Sequence, residues 1–134
     1  MNFPILAIGL ATSVAFVIGG IWYGALFRQA WQAEQNWTDA DAAQARARSA
    51  RLFATTLVCE AIITTVLAHV LGRIPHDPAI TLMVVLGTAV GFVIPALAVN
   101  YGYAQNSLKL LLIDAGHWLA VFLGIAVVFI ALRV

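Results

Sequence analysis

Charge is scarce in this chain: seven Lys and Arg and six Asp and Glu among 134 residues, 10% in all. A soluble domain carries about 25% charged residues, most of them on its water-facing surface. This chain lacks the charge to cover such a surface, and 63% of it is hydrophobic, with a mean hydropathy of +0.95. The lipid bilayer is its natural solvent. A net charge of +1 gives no clustered basic face for phosphates, which excludes nucleic acid as a partner. The one cysteine, Cys59, excludes an intrachain disulfide and a CxxC-type metal framework, and reads as a buried small apolar side chain in a helix. Also missing are HExxH, GxSxG and a phosphate-binding glycine loop, so no catalytic residue, metal site or cofactor is implied. No basic residue precedes the first apolar run, so that run is expected to be retained rather than cleaved as a signal peptide.

What is present is a set of apolar runs. Crossing the hydrocarbon core takes about 20 residues of helix. Four stretches reach that length, near residues 4–27, 52–71, 79–100 and 108–132. They lack the strict alternation of barrel strands. The expected fold is therefore all-α: a membrane four-helix bundle forming one domain over residues 1–134, with a cytoplasmic helical extension before the second span. Thr38, followed by Asp39 and Asp41, can N-cap that extension, and the alanine-rich residues 40–54 should carry it unbroken into the second span. Trp31 and Trp37 are placed at the interface. Arg28, Arg46, Arg48, Arg51 and Lys109 fall on one side of the spans and only Arg73 and Arg133 on the other. Basic loops stay in the cytoplasm. The chain thus reads as a multi-pass membrane protein with both termini outside the cytoplasm.

Three ionisable residues interrupt the spans: Glu60, Asp114 and His117. A charge at the bilayer centre costs roughly 2.5–3.5 kcal/mol on insertion scales, so such residues face a partner helix or a water-filled cavity. At 1.5 Å per residue, Asp114 and His117 lie about 9 and 14 Å beyond Leu108, and Glu60 about 12 Å beyond Leu52. Trp22 and Tyr23 end the first span, and Asn100 and Tyr101 the third, on that same side. All four spans therefore bring polar or amphipathic groups to the cytoplasmic half, and Glu60, Asp114, His117, Asn100, Trp22 and Tyr23 are the binding or proton-handling candidates. Asp114 and His117 share a helix face, and Thr56, Glu60 and Thr64 form a polar stripe. Pro95 is expected to kink the third span. The plainer alternative is that His117 simply pairs with Glu60 or Asp114 and holds the bundle together. His69, Arg73, His76 and Asp77, at the opposite end, read as solvated headgroup chemistry.

Gly20 and Gly24, Gly87 and Gly91, and Gly116 with Gly124 are candidate helix-packing surfaces, within one chain or between copies in a homo-oligomer.

The block Trp22-Tyr23-Gly24-Ala25-Leu26-Phe27 followed by Trp31 resembles a family of small bacterial four-helix membrane proteins catalogued as a domain of unknown function. So does the block running from Asn100-Tyr101 through Lys109-Leu110 to Ile113-Asp114-Ala115-Gly116-His117-Trp118. The resemblance implies a fold and a membrane location, and no activity. The family pattern has proline at the position of Ala25, asparagine at Asp114 and tyrosine at His117, which argues against a family-wide acid–base mechanism through the last two. Three functions stay open: a small homo-oligomeric transporter, channel or binding protein for a small molecule or ion; a structural or partner-stabilising subunit; or a membrane enzyme using Glu60, Asp114 and His117.

Overall fold

The computed structural model describes residues 4–134, in which no strand occurs. The chain forms α1 (Ile5–Leu26), α2 (Arg28–Glu34), α3 (Asp39–Ala47), α4 (Ser49–Leu71), α5 (Pro78–Tyr103) and α6 (Leu108–Leu132). Four of these, α1, α4, α5 and α6, are long and apolar enough to cross a membrane. The protein is a multi-pass membrane protein of all-α class, with a helical extension ahead of the second span.

Packing order differs from chain order. Helix α6 lies between α1 and α5, and α4 packs on the far side of α1. Helices α4 and α5 meet only along Pro78–Thr88, next to their shared turn. The dry core occupies the half of the bundle nearer that turn. Ala7, Ala11 and Ala15 repeat every four residues on α1 and are fully enclosed, so neighbouring helices approach its backbone closely. Leu67 and Leu71 of α4, Val85 of α5, and Val121, Phe122, Ile125 and Phe129 of α6 fill the rest. Glu60, Asp114 and His117 are buried in the other half.

Local sequence explains the helix ends. Thr38 caps α3 as expected: its hydroxyl accepts from the Asp41 amide at 3.3 Å, and the Asp41 carboxylate accepts from the Thr38 amide at 2.8 Å. That amide, then the Thr38 hydroxyl, holds the exposed Asp41 carboxyl below its usual range. Thr38→Ala removes the box at a cost of about 1 kcal/mol, so the first amides of α3 should exchange about fivefold faster. An unchanged exchange rate would show that the cap contributes nothing. Asp77 caps α5 in the same way, accepting from the Ala79 and Ile80 amides. Asn36, Gln105 and Arg133 adopt the left-handed conformation that closes α2, α5 and α6.

Several expectations need correction. The extension does not run unbroken into the second span, because Arg48 leaves helical geometry at φ −100° and ψ 4° and separates α3 from α4. Pro95 does not act alone in α5: a π-helical turn over Ala89–Val93 precedes it and absorbs the lost backbone donor. A second π turn, over Trp22–Leu26, closes α1 and had no counterpart in the sequence reading. Cys59 is exposed on α4 rather than buried, since lipid accepts a small apolar side chain as readily as a core does.

Candidate functional site

Asp114 sits one turn and a half into α6, with 6% of its surface exposed. Each carboxyl oxygen takes a hydroxyl from a different span. Tyr23 of α1 donates to Oδ1 at 2.6 Å, and Tyr101 of α5 donates to Oδ2. The clamp thus joins three spans at one point. Beside it, the Trp22 indole donates to the Ile113 carbonyl at 3.1 Å. The π turn is what brings Trp22 and Tyr23 inward together, because a wider turn changes the angular step between successive side chains. Both side chains are half-buried against α6.

His117, one turn further along α6, is enclosed by rings. Tyr23 lies 4.8 Å away, Trp118 5.3 Å and Trp22 6.3 Å between centroids. A Cβ added to Gly19 would stand 3.3 Å from Nε2, so the glycine leaves the space that the imidazole fills. Neither ring nitrogen has a hydrogen-bond partner.

Glu60 lies between α4 and α1 with 3% of its surface exposed, and its Oε2 has no partner either. One turn along, the buried Thr64 hydroxyl donates to the Glu60 main-chain oxygen at 3.0 Å and meets the Thr12 hydroxyl at 2.8 Å. That contact sets the register of α4 on α1 and puts Glu60 level with about residue 16. His117 is level with Gly19, so the two differ in depth by only about 4.5 Å. Among the described residues no ion pair joins His117 to either carboxylate; the one pair present is Lys109 to Glu34, at 3.2 Å. The pairing of His117 with Glu60 or Asp114 is therefore not what holds the bundle.

The remaining candidates separate. Asn100 is exposed, and its neighbour Tyr101 supplies the functional hydroxyl. Thr56 is exposed and bonds back to the Leu52 carbonyl, so the polar stripe on α4 reduces to Glu60 and Thr64. Ser107 caps α6 and donates to Glu34. That hydroxyl, and then the Lys109 ammonium, keeps the Glu34 carboxyl below its usual range, tying α2 to the start of α6. Gly116 and Gly124 do pack: a Cβ at Gly116 would meet the Trp22 ring at 3.0 Å, and one at Gly124 would meet Ile18 at 2.6 Å. Gly20, Gly24, Gly87 and Gly91 have nothing within 4 Å and face outward. Tyr101 stands at the expected depth but outside the expected candidates, and Gly19 and Thr12 have no counterpart in the sequence reading. The signal available for Tyr101 was its place in the block shared with the family resemblance, one residue after Asn100.

Residues 6–130 match a family model described as "Protein of unknown function (DUF1761)". The chain belongs to this family. No curated protein and no solved structure matches it. For a DUF1761 member the role therefore rests on the site itself. An asparagine in place of Asp114, the pattern the resemblance implies, keeps an acceptor for one tyrosine and adds a donor for the other, so the clamp suits an amide as well as a carboxylate.

Proposed function

We propose that this protein is a small-solute transporter, channel or binding protein, working as a homo-oligomer, with Glu60 and His117 as the groups that take a proton or ligand. One observation carries the reading: in a membrane-spanning bundle, the Glu60 Oε2 and both His117 nitrogens are buried at nearly the same depth without partners among the described residues. Buried polar atoms are almost always satisfied, and an intramembrane ionisable group left unsatisfied is costly. The outward glycines of α1 and α5 leave room for a second copy, which a four-span chain needs to enclose a path. The arginine-rich side supports a site in the cytoplasmic half of the membrane with both termini outside, and the family resemblance supports a bacterial inner membrane.

Both groups exchange protons, so proton movement is the first activity to measure. In liposomes carrying a trapped pH-sensitive dye and a potassium diffusion potential, the wild-type protein should dissipate the gradient faster than protein-free vesicles do. Glu60→Gln and His117→Phe should each slow it by about tenfold or more, the size of effect expected when a positioned proton-transfer group is removed. Wild-type flux no faster than in empty vesicles, from a protein that stays monomeric in detergent, would overturn the proposal.

A structural role has its own support. The Asp114 carboxylate is fully engaged by tyrosines and joins three helices, as a packing device does. The enzyme reading is weakened by the missing hydrogen bond between His117 and either carboxylate.

A further inference from the structure

The far end of the bundle holds two adjoining grooves, of about 450 and 490 Å³, that share His76, Arg133 and Val134. The first lies where α1 begins and where α4 and α6 end, and Arg73 and His69 line it as well. Its floor is apolar, formed by Leu6, Ala7, Ala68 and Leu132. Cationic walls over an apolar floor, at the ends of three spans, match a molecule with an anionic head and a hydrocarbon tail.

The charges there are arranged for an outside partner. Neither arginine has a carboxylate within 4 Å among the described residues, where the ion pair found is Lys109–Glu34 at the other end. Arg73 donates through Nη1 to the His69 carbonyl at 2.7 Å, which folds its guanidinium back over the end of α4 and leaves its other donors unused among the described residues. Arg133 sits at φ 53° and ψ 50°, a conformation unfavourable for a side-chain-bearing residue, and so stands at the junction of both grooves. The one acidic side chain lining either groove, Asp77, accepts the Ala79 and Ile80 amides as the α5 cap. Arginine is the side chain suited to a phosphate, which it meets with paired donors.

We infer that this groove binds the phosphate headgroup of an anionic phospholipid, held by Arg73 and Arg133, with an acyl chain descending along Leu6 and Leu132. The shared chemistry is a phosphate anion; the apolar floor selects the lipid over the free ion. The inference concerns the opposite end of the bundle from Glu60 and His117 and does not depend on their role.

Native mass spectrometry of the full chain in detergent, with phosphatidylglycerol, phosphatidylcholine or inorganic phosphate added, tests it. The wild-type chain should retain one phosphatidylglycerol and no phosphatidylcholine. The Arg73→Gln/Arg133→Gln variant should retain it about thirtyfold more weakly. Arg73→Lys/Arg133→Lys, which keeps the charge but not the paired donors, should bind more tightly than the glutamine variant and less tightly than the wild type, which separates loss of charge from loss of fold. Arg46→Gln/Arg48→Gln, at the other end, should change nothing. Undiminished retention by the glutamine variant, or equal retention of phosphatidylcholine, overturns the inference. Phosphate binding with no lipid retained would reassign the groove to a free anion and overturn the lipid reading.

Discussion

Asp114→Ala should lower the stability of the detergent-solubilised protein by about 2–4 kcal/mol. The substitution orphans two tyrosine hydroxyls at once, on α1 and on α5. Hydrogen bonds to a charged acceptor contribute about 1.5–3 kcal/mol each in water-soluble proteins. Within membranes the values are smaller, because the unfolded helices also find partners. Tyr23→Phe and Tyr101→Phe should each cost about half as much and combine non-additively, since both act through one carboxylate. Asp114→Asn should cost about 1 kcal/mol or less, because an amide offers one acceptor and one donor to the same two hydroxyls. A loss for Asn as large as that for Ala would show that the negative charge, not the bridge, is what the site requires.

Gly116→Leu should come next, by way of packing rather than polarity. A Cβ at this position already meets two atoms of the Trp22 ring, at 3.0 and 3.2 Å. The indole cannot slide away freely, since it donates to the Ile113 carbonyl and stacks on Phe27 with centroids 4.5 Å apart. Alanine should therefore cost about 1–3 kcal/mol as an overpacked contact, and leucine should separate α1 from α6 at this level. Gly91 gives the internal control, because a Cβ there meets nothing within 4 Å. Gly91→Leu should leave the folded monomer intact and weaken self-association. Equal destabilisation by the two leucine variants would contradict the assignment of one glycine to the inside and the other to the outside. Thermal unfolding followed by circular dichroism, with size-exclusion light scattering for oligomeric state, reads both effects.

The helices and the depth of the ionisable residues could be read from hydropathy and helical rise, because both are sums along one segment. Which way a side chain points could not. Asn100 and Tyr101 have the same depth to within one residue, yet a step of about 100° around the helix separates an exposed amide from the hydroxyl that clamps Asp114. The π turn over Trp22–Leu26 defeats the same arithmetic on α1, since a 3.6-residue period no longer holds across it. Gly19 escaped notice because it is adjacent to the GxxxG pair rather than part of it, and its role is set by His117, 98 positions away along the chain. The resemblance carried the family and the four-helix architecture. It carried nothing about the split between a satisfied Asp114 and the unsatisfied Glu60 and His117, which exists only once the four long helices are packed together.

That split is the centre of the account, and comparative stability tests it most directly. Replacing an unsatisfied buried polar group by an apolar one of similar volume is neutral or stabilising, whereas breaking a satisfied one is costly. Thermal unfolding of Glu60→Met, His117→Phe and Asp114→Ala in one detergent should therefore show the first two at or above the wild-type midpoint and the third well below it. If Glu60→Met and His117→Phe fall as far as Asp114→Ala, those groups have partners that stabilise the fold, and their assignment as the free, ligand-accepting residues is wrong.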